Sequence, residues 1–399
     1  MKIVDVAEFY AEQGGGVRTY INQKLAAGAA AGHEIVVIAP GPEDGEEERH
    51  GGRVIWVKGP PLPPDPRYYI LWNERAVHRA LDRERPDVVE GSSPWTGGWF
   101  AARWRGDAAK SFIFHQDPVA VYPQTLLGAT LGARRVDRLF GWYWAYLCRL
   151  ARRFDATVVS GEWLANRLQG FGLDNAVAVP FGIDKQHFGP AKRDPARRRE
   201  LLRRCGLGED AALVVTVSRL HPEKRIFTLL RAIERARRRR PVGLVLLGVG
   251  PLDALVRRRA RALGGVYMPG YLDGREEVAR TLASADVMLH GSAAETYGLV
   301  VAEGLCSGLP VVVPEEGGAA DFADPRWAET YPPGDAEAAA RALLRLLDRD
   351  RGAVSAAATE GCATRVGTMD DHFEGLFGLY ERLARARRGG RGAKHGGTA

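Results

Sequence analysis

Short apolar runs alternate with helical stretches along almost the whole chain, and the alternation starts afresh near its midpoint. Residues 2–10 (KIVDVAEFY) read as a strand, Gly14, Gly15 and Gly16 as a turn, and Val17 to Ala31 as a helix; His33–Pro40 and Arg53–Lys58 follow as strands. A strand, glycine-rich turn, helix, strand unit opens a doubly wound sheet. Beyond the proline-rich connection Pro60–Pro66, strands are expected at Pro86–Ser92, Lys110–His115, Ala156–Ser160 and Ala176–Val179. In the second half they are expected at Leu213–Ser218, Val242–Leu247, Val266–Met268, Val287–His290 and Pro310–Val313, with helices near 226–240, 251–263, 275–284, 298–306 and 335–348. A chain of 399 residues exceeds one ordinary core. The expected class is therefore α/β, with two doubly wound, Rossmann-like domains facing across a cleft that holds the ligand. The boundaries read as 1–184 and 185–370, then a helix over 371–388 and a Gly- and Arg-rich disordered tail over 389–399. The linker is placed across Pro180–Asp184 and residues 185–199, which lack apolar periodicity.

Apolar residues make up 45% and charged residues 26% of the chain, as in soluble globular proteins. No apolar run reaches membrane-spanning length and no signal peptide is visible, so a cytoplasmic protein is expected. Cys148, Cys205, Cys306 and Cys362 are scattered without a CxxC pair. That argues against a zinc site and against disulfides, and fits a reducing compartment. The net charge of +7 comes mostly from arginine clusters, including 237–240 and 257–259. These could meet an anionic membrane or phosphorylated substrates, but they lie on helical patterns without aromatic platforms, so no nucleic-acid partner is expected. Trp142 to Arg153 mixes aromatic and basic residues. It fits a membrane- or acceptor-facing helix, although its apolar middle favours burial.

The chemistry concentrates in Ser292 to Pro314 (SAAETYGLVVAEGLCSGLPVVVP). Glu295 and Glu303 are separated by seven residues; Tyr297 and Gly298 precede the apolar run from Leu299 and Val300 onward. Free amides at a helix start attract phosphate, while carboxylates accept from paired hydroxyls, so the stretch suits a ligand carrying both groups. Arg219 and Lys224 share one short loop after a strand, where two cations suit a diphosphate. Gly248 and Gly250 stand one strand later, Tyr271 and Leu272 another strand on. Both places could border a nucleoside, and both are equally ordinary turns. Gly15 and Gly16 permit close approach to a ligand, but the triplet is not the spaced GxGxxG fingerprint and no carboxylate closes the second strand, against a dinucleotide-binding dehydrogenase. His115 ends an apolar strand, where a structural histidine is as reasonable as a functional one. Asp117 and Glu12 read as surface carboxylates.

In order and spacing these pieces resemble the GT-B fold glycosyltransferases of family 4 (glycosyl transferases group 1), a retaining, nucleotide-sugar-dependent group. The resemblance spans most of the chain and is strongest at the Glu295–Glu303 pair. It implies transfer of a hexosyl group from a UDP- or GDP-sugar to a hydroxyl on a glycan or lipid-linked acceptor, with possible peripheral contact with the inner face of an anionic membrane. It further implies that Arg219 and Lys224 hold the donor diphosphate, Glu303 the ribose, and Glu295 the sugar hydroxyls. Amides around Gly298, Leu299 and Val300 would meet phosphate and sugar, with Gly15 and Gly16 against the diphosphate and His115 near the reacting centre. Gly248, Gly250, Tyr271, Leu272 and Tyr297 complete the donor set. No cofactor or metal is expected, and the last helix would cross back to the first domain. Two departures stand out: Arg225 where the family often has glycine, and Asp321 where glutamate is usual. Retention would follow a front-face path in which the leaving diphosphate takes the acceptor proton, rather than a double displacement. A sugar-nucleotide epimerase or a non-catalytic sugar-nucleotide-binding protein would share the fold and the donor grip.

Overall fold

The computed structural model describes residues 1–12, 15–63, 65–272 and 274–395. Gly14 of the expected triplet and residues 396–399 of the expected tail lie outside these. The first half contains β1 (Lys2–Val6), α1 (Gly16–Ala30), β2 (Glu34–Gly41), β3 (Gly45–Arg49), β4 (Gly52–Lys58), β5 (Pro61–Leu62), β6 (Asp65–Tyr69), α2 (Glu74–Glu84), β7 (Val88–Gly91), α3 (Thr96–Arg103) and β8 (Ala109–Ile113). It continues through α4 (Thr125–Leu131), α5 (Ala133–Leu139), α6 (Gly141–Ala151), β9 (Ala156–Val159), α7 (Glu162–Gln169) and β10 (Ala176–Ala178). These form an eight-stranded sheet in the order β10-β9-β8-β7-β1-β2-β4-β3, parallel except for β3, and a separate β5–β6 hairpin.

The second half contains α8 (Pro195–Arg204), β11 (Ala212–Val217), α9 (Ile226–Ala236), β12 (Val242–Leu247), α10 (Asp253–Leu263), β13 (Val266–Gly270), α11 (Arg275–Ser284) and β14 (Val287–Leu289). It ends with α12 (Leu299–Cys306), β15 (Val311–Pro314), β16 (Ala328–Tyr331), α13 (Ala336–Leu347), α14 (Arg351–Arg365) and α15 (Met369–His395). Its six strands are parallel in the order β13-β12-β11-β14-β15-β16. Burial on both faces explains the unbroken apolar runs, such as Val36 to Ala39 and Leu244 to Leu247, in which no alternation is visible.

On the last helix, Phe373, Leu376, Phe377 and Tyr380 pack into the first domain beside Ile21, Leu25 and Ile35. Beneath them lies a buried polar cluster. Lys24 Nζ reaches Asp5 Oδ2 and Glu90 Oε2, each at 2.5 Å, and the Tyr380 hydroxyl donates to Glu90 from α15.

Four expectations are corrected. The final helix does not stop at 388 but continues to His395, so residues 389–395 are helical rather than disordered. The linker is shorter than expected, because α8 occupies 195–204. Asp194 caps its first turn by accepting from the amides of Ala196 and Arg197, Pro195 begins it, and only Leu201 and Leu202 bury deeply, too few to show a period. Asp117 is fully buried and paired with Arg167, which also holds Asp137 at 2.9 Å. Cys306 and Cys362 form a disulfide between α12 and α14 with Cα atoms 5.0 Å apart, against the expectation of none. Among the described residues, no helix is long and apolar enough to cross a membrane.

Candidate active site

The site assembles where the C-terminal ends of β11 and β14 meet the start of α12. The loop leaving β11 makes a 3-10 turn, Pro222–Lys224, and enters α9 through Arg225 at φ 49°. That left-handed conformation is the one glycine adopts without strain, which accounts for glycine being common here in the resembling family. The turn sets the Lys224 ammonium on the Glu295 carboxylate. His290, which ends β14, places Nε2 3.9 Å from Glu295 Oε1. Arg219 remains 80% exposed, its nearest carboxylate being Glu223 at 3.8 Å, so its guanidinium is available to a ligand.

Burial alone would raise the Glu295 pKa, but Lys224, then His290 and Arg219, hold it below the ordinary range. The same burial depresses His290 to about 4. Near neutral pH the cluster is thus a carboxylate, an ammonium and a neutral imidazole whose Nε2 has no hydrogen-bond partner. His290 was missed among the candidate residues. The signal was present, since a histidine directly follows the apolar run Val287–Leu289 at a strand's C-terminal end.

Gly298 is the N-cap of α12, at φ 94°. A side chain there would be strained, and its Cβ would stand 3.1 Å from Ala319 Cα. The first bonds within α12 run from the amides of Val301 and Ala302 to Gly298 O, leaving the Leu299 and Val300 amides ahead of the ladder. Glu303 lies further along the helix, 3.7 Å from Arg275 Nη2. The two glutamates therefore have separate partners, Lys224 for Glu295 and Arg275 for Glu303.

The Glu295–Tyr297 loop is also where the domains touch. Thr296 Oγ1 donates to the His115 carbonyl at 2.7 Å, Ser160 Oγ to the Thr296 carbonyl at 3.1 Å, and the Tyr297 hydroxyl to the Phe181 carbonyl. Asp321 accepts from the Trp163 amide at the start of α7, 3.0 Å away. The His115 backbone is thus held to Thr296, the neighbour of Glu295, while its ring packs against Tyr20 and Phe181. Its two ring nitrogens are buried without partners, and burial, then His372 and Lys24, depress its pKa to about 3. A neutral imidazole held unsatisfied in this way costs about 1–3 kcal/mol and favours a ligand or water that completes it.

Other candidates are placed differently. Tyr297 is only 5% exposed and its hydroxyl is engaged by the first domain, so it braces the cleft. Gly248 (φ 130°) and Gly250 let their loop lie directly on the Ser218–Leu220 backbone; a Cβ at Gly248 would stand 2.0 Å from Ser218 O. Leu272 packs on the second core while the Tyr271 ring is 74% exposed. Gly15 and Gly16 have ordinary backbone needs, and a Cβ at either would meet nothing within 4 Å, leaving open space at the start of α1. Among the described residues no three His, Cys, Asp or Glu side chains converge as metal ligands.

Burial raises the Glu303 pKa to about 7, partly offset by Arg275. A raised carboxyl binds more protons folded than unfolded, so its cost to stability appears as pH rises from about 4.5 to about 7, reaching roughly 3 kcal/mol. Glu303→Gln is expected to be more stable than wild type at pH 8 by up to that amount, with the gap closing at pH 4.5, by urea unfolding. An equal gap at both pH values would contradict the assignment.

Two facing doubly wound domains with a basic loop, a helix start and paired carboxylates between them define a GT-B fold. Sucrose-phosphate synthase from Thermosynechococcus elongatus has it, with TM-score 0.72 and 21% identity over 97% of this chain and 100% of that one. So does Anabaena HepE in complex with UDP and glucose, with TM-score 0.67 and 15% identity over 95% and 99%. Residues 14–187 match the model "Glycosyltransferase Family 4" and residues 211–349 the model "Glycosyl transferases group 1". The chain is 30% identical over 321 residues to the GDP-mannose-dependent alpha-(1-6)-phosphatidylinositol dimannoside mannosyltransferase of Mycobacterium tuberculosis, covering 78% of this chain and 79% of that protein. It is 31% identical over 333 residues to a GDP-mannose-dependent alpha-mannosyltransferase of the same species, covering 82% of each. The chain belongs to family 4, group 1, of the glycosyltransferases.

Proposed function

We propose that the enzyme transfers a mannosyl group from GDP-mannose to a hydroxyl of a glycan or glycolipid, with retention of anomeric configuration and without a metal ion. The observation that carries this reading is the Lys224–Glu295 pair beside the exposed Arg219, on a loop that meets the first domain at His115, whose ring nitrogens have no partner. Mannose and the guanine base come from the named relatives. Arg219, Lys224 and the first amides of α12 hold the diphosphate and stabilise its charge as the glycosidic bond breaks. Glu303 accepts from the ribose hydroxyls and Glu295 from the sugar, kept ionised by Lys224. His115, neutral above about pH 3, donates or accepts a hydrogen bond at the sugar rather than carrying charge. The acceptor oxygen approaches on the face from which the diphosphate leaves, and the departing phosphate oxygen takes its proton.

A glycolipid acceptor fits the outer surface of the first domain. Leu126, Leu139 and Trp142 are 73%, 63% and 68% exposed there, close in sequence to Arg134, Arg135 and Arg138. Tyr143, Trp144 and Leu147 of the same stretch are buried, so α6 presents only one edge. This face would rest on the cytoplasmic side of an anionic membrane.

A thermal-shift series with GDP, UDP, ADP and their sugars is the test. GDP and GDP-mannose are expected to raise Tm most, by mass action. A larger shift with UDP would replace the base, and no shift with any of them would remove the donor assignment. NMR of the product reads the anomeric configuration.

A further inference from the structure

A cavity of about 500 Å³ opens in the first domain beyond the C-terminal ends of β1, β2 and β4. Glu12, Glu43, Asp44, Trp56, Arg67 and Tyr69 supply its chemistry. None of these is among the residues assigned to the donor. We propose that this cavity is an acceptor subsite for a neutral saccharide: it holds the sugar behind the one that receives the glycosyl group. The inference rests on the glycosyltransferase reading and names part of its acceptor.

The polar inventory favours a polyol. The Glu43 carboxylate and the Tyr69 hydroxyl have no hydrogen-bond or ion-pair partner among the described residues, and Glu12 has only Arg49, at 4.0 Å. Asp44 Oδ1 accepts from the Lys58 amide at 2.7 Å, which fixes the side chain and leaves Oδ2 for a ligand. Arg67 turns Nε and Nη2 to Asp65, at 2.8 and 2.6 Å, so its charge is largely answered. Among the lining residues, three carboxylates face one paired arginine, and Arg49 behind Glu12 is itself paired with Glu47, a balance that disfavours a phosphate or another anionic group. The carboxylates do not converge as metal ligands either. What remains suited is an uncharged molecule rich in hydroxyl donors, since ionised carboxylates are acceptors only.

The apolar part is rigid. Trp56 stacks on Tyr10 with ring centroids 5.7 Å apart, and its indole N–H donates to Glu47 at 3.1 Å. Pro40, Pro42 and Pro66 stiffen the rim. A stiff aromatic edge beside fixed carboxylates limits the ordering cost of binding.

Position sets which sugar is held. In the sheet order β8-β7-β1-β2, the end of β2 is three strand spacings, about 14 Å, from the end of β8, where His115 stands. That span exceeds one pyranose ring. A monosaccharide acceptor at the reacting centre would leave the cavity empty, whereas an oligosaccharide would reach it past Gly15 and Gly16.

The test uses the full chain with GDP-mannose and two acceptors, methyl α-mannoside and the methyl glycoside of α-1,6-mannobiose. In the wild type, the disaccharide is expected to have a KM about tenfold lower, as one or two charge-assisted hydrogen bonds provide. Glu43→Gln and Tyr69→Phe should each erase most of that advantage while leaving monosaccharide KM and the GDP-induced thermal shift unchanged. Saturation-transfer NMR should show the second ring contacted only in the wild type. A disaccharide advantage that survives in both variants overturns the proposal, as does inorganic phosphate competing with the disaccharide while the GDP shift is intact. If no GDP shift occurs but the disaccharide still binds in a Glu43-dependent way, the subsite stands and the donor reading fails.

Discussion

Lys224→Ala is expected to lower kcat/KM by about 10²–10³-fold, the effect of removing one charge-stabilising group from a transferring centre. Two losses combine. The ammonium no longer meets the phosphate oxygens as negative charge builds on the leaving diphosphate. The Glu295 carboxylate also loses its partner, in surroundings where burial already works to raise its pKa. The Glu295 pKa should then rise, so that its carboxyl turns from acceptor to donor towards the sugar hydroxyls at a higher pH than in the wild type. Lys224→Arg keeps the charge but not the point geometry, and should recover only part of the rate. Arg219→Ala should cost less, because Arg219 is exposed and holds no second catalytic group in place. Steady-state kinetics with a pH series separates the two losses: the alanine variant should gain activity as pH rises, to the extent that Glu295 reionises. An unchanged kcat/KM would remove Lys224 from the diphosphate site, and a pH-independent loss would remove its effect on Glu295.

The contrast between Lys224 and Asp117 shows what a sequence carries. Lys224, Arg219 and Glu295 could be placed from the sequence because each stands on a short loop after a strand, and the structure does bring Lys224 onto Glu295, with Glu303 further on in α12. Asp117 stands at such a place too, yet it is fully buried on Arg167, which itself packs over Trp144 and Trp163. Its partner is fifty residues away, and nothing local announces it. Tyr297 was misplaced for a related reason. It sits between Glu295 and the start of α12, but its hydroxyl reaches across the domain boundary to Phe181, a contact that exists only once both domains have formed. The doubly wound order was plain from the apolar runs, whereas α8 was hidden by a charge run carrying only two deeply buried leucines. The cysteine pairing failed for the same reason as Asp117: Cys306 and Cys362 lie 56 residues apart, and only the packing of α14 on α12 brings them together.

The buried cluster under the last helix carries the largest expected effect on stability. Lys24 is fully buried between Asp5 and Glu90; burial lowers its pKa, but the two carboxylates outweigh this and leave it raised. The second oxygens of the pair are satisfied as well, by Ser92 on Asp5 at 2.6 Å and by Tyr380 on Glu90. Lys24→Met keeps the side-chain length and strands two carboxylates without a cation, a loss of about 3–5 kcal/mol. Tyr380→Phe removes one bond to a charged group and should cost about 1.5–3 kcal/mol while loosening the docking of α15 on the first domain. The pH dependence distinguishes charge from packing. Burial already raises the Glu90 pKa in the native protein against the opposing pull of Lys24, so losing the lysine raises it further above its unfolded value. The folded variant then binds more protons than its unfolded chain, so its stability should improve as pH falls from 8 towards 5. Urea unfolding of Lys24→Met at pH 8 and pH 5.5 reads this directly. A deficit of the same size at both pH values would mean that the lysine contributes packing alone, and a variant as stable as wild type at pH 8 would mean that the carboxylates are already neutral in the native protein.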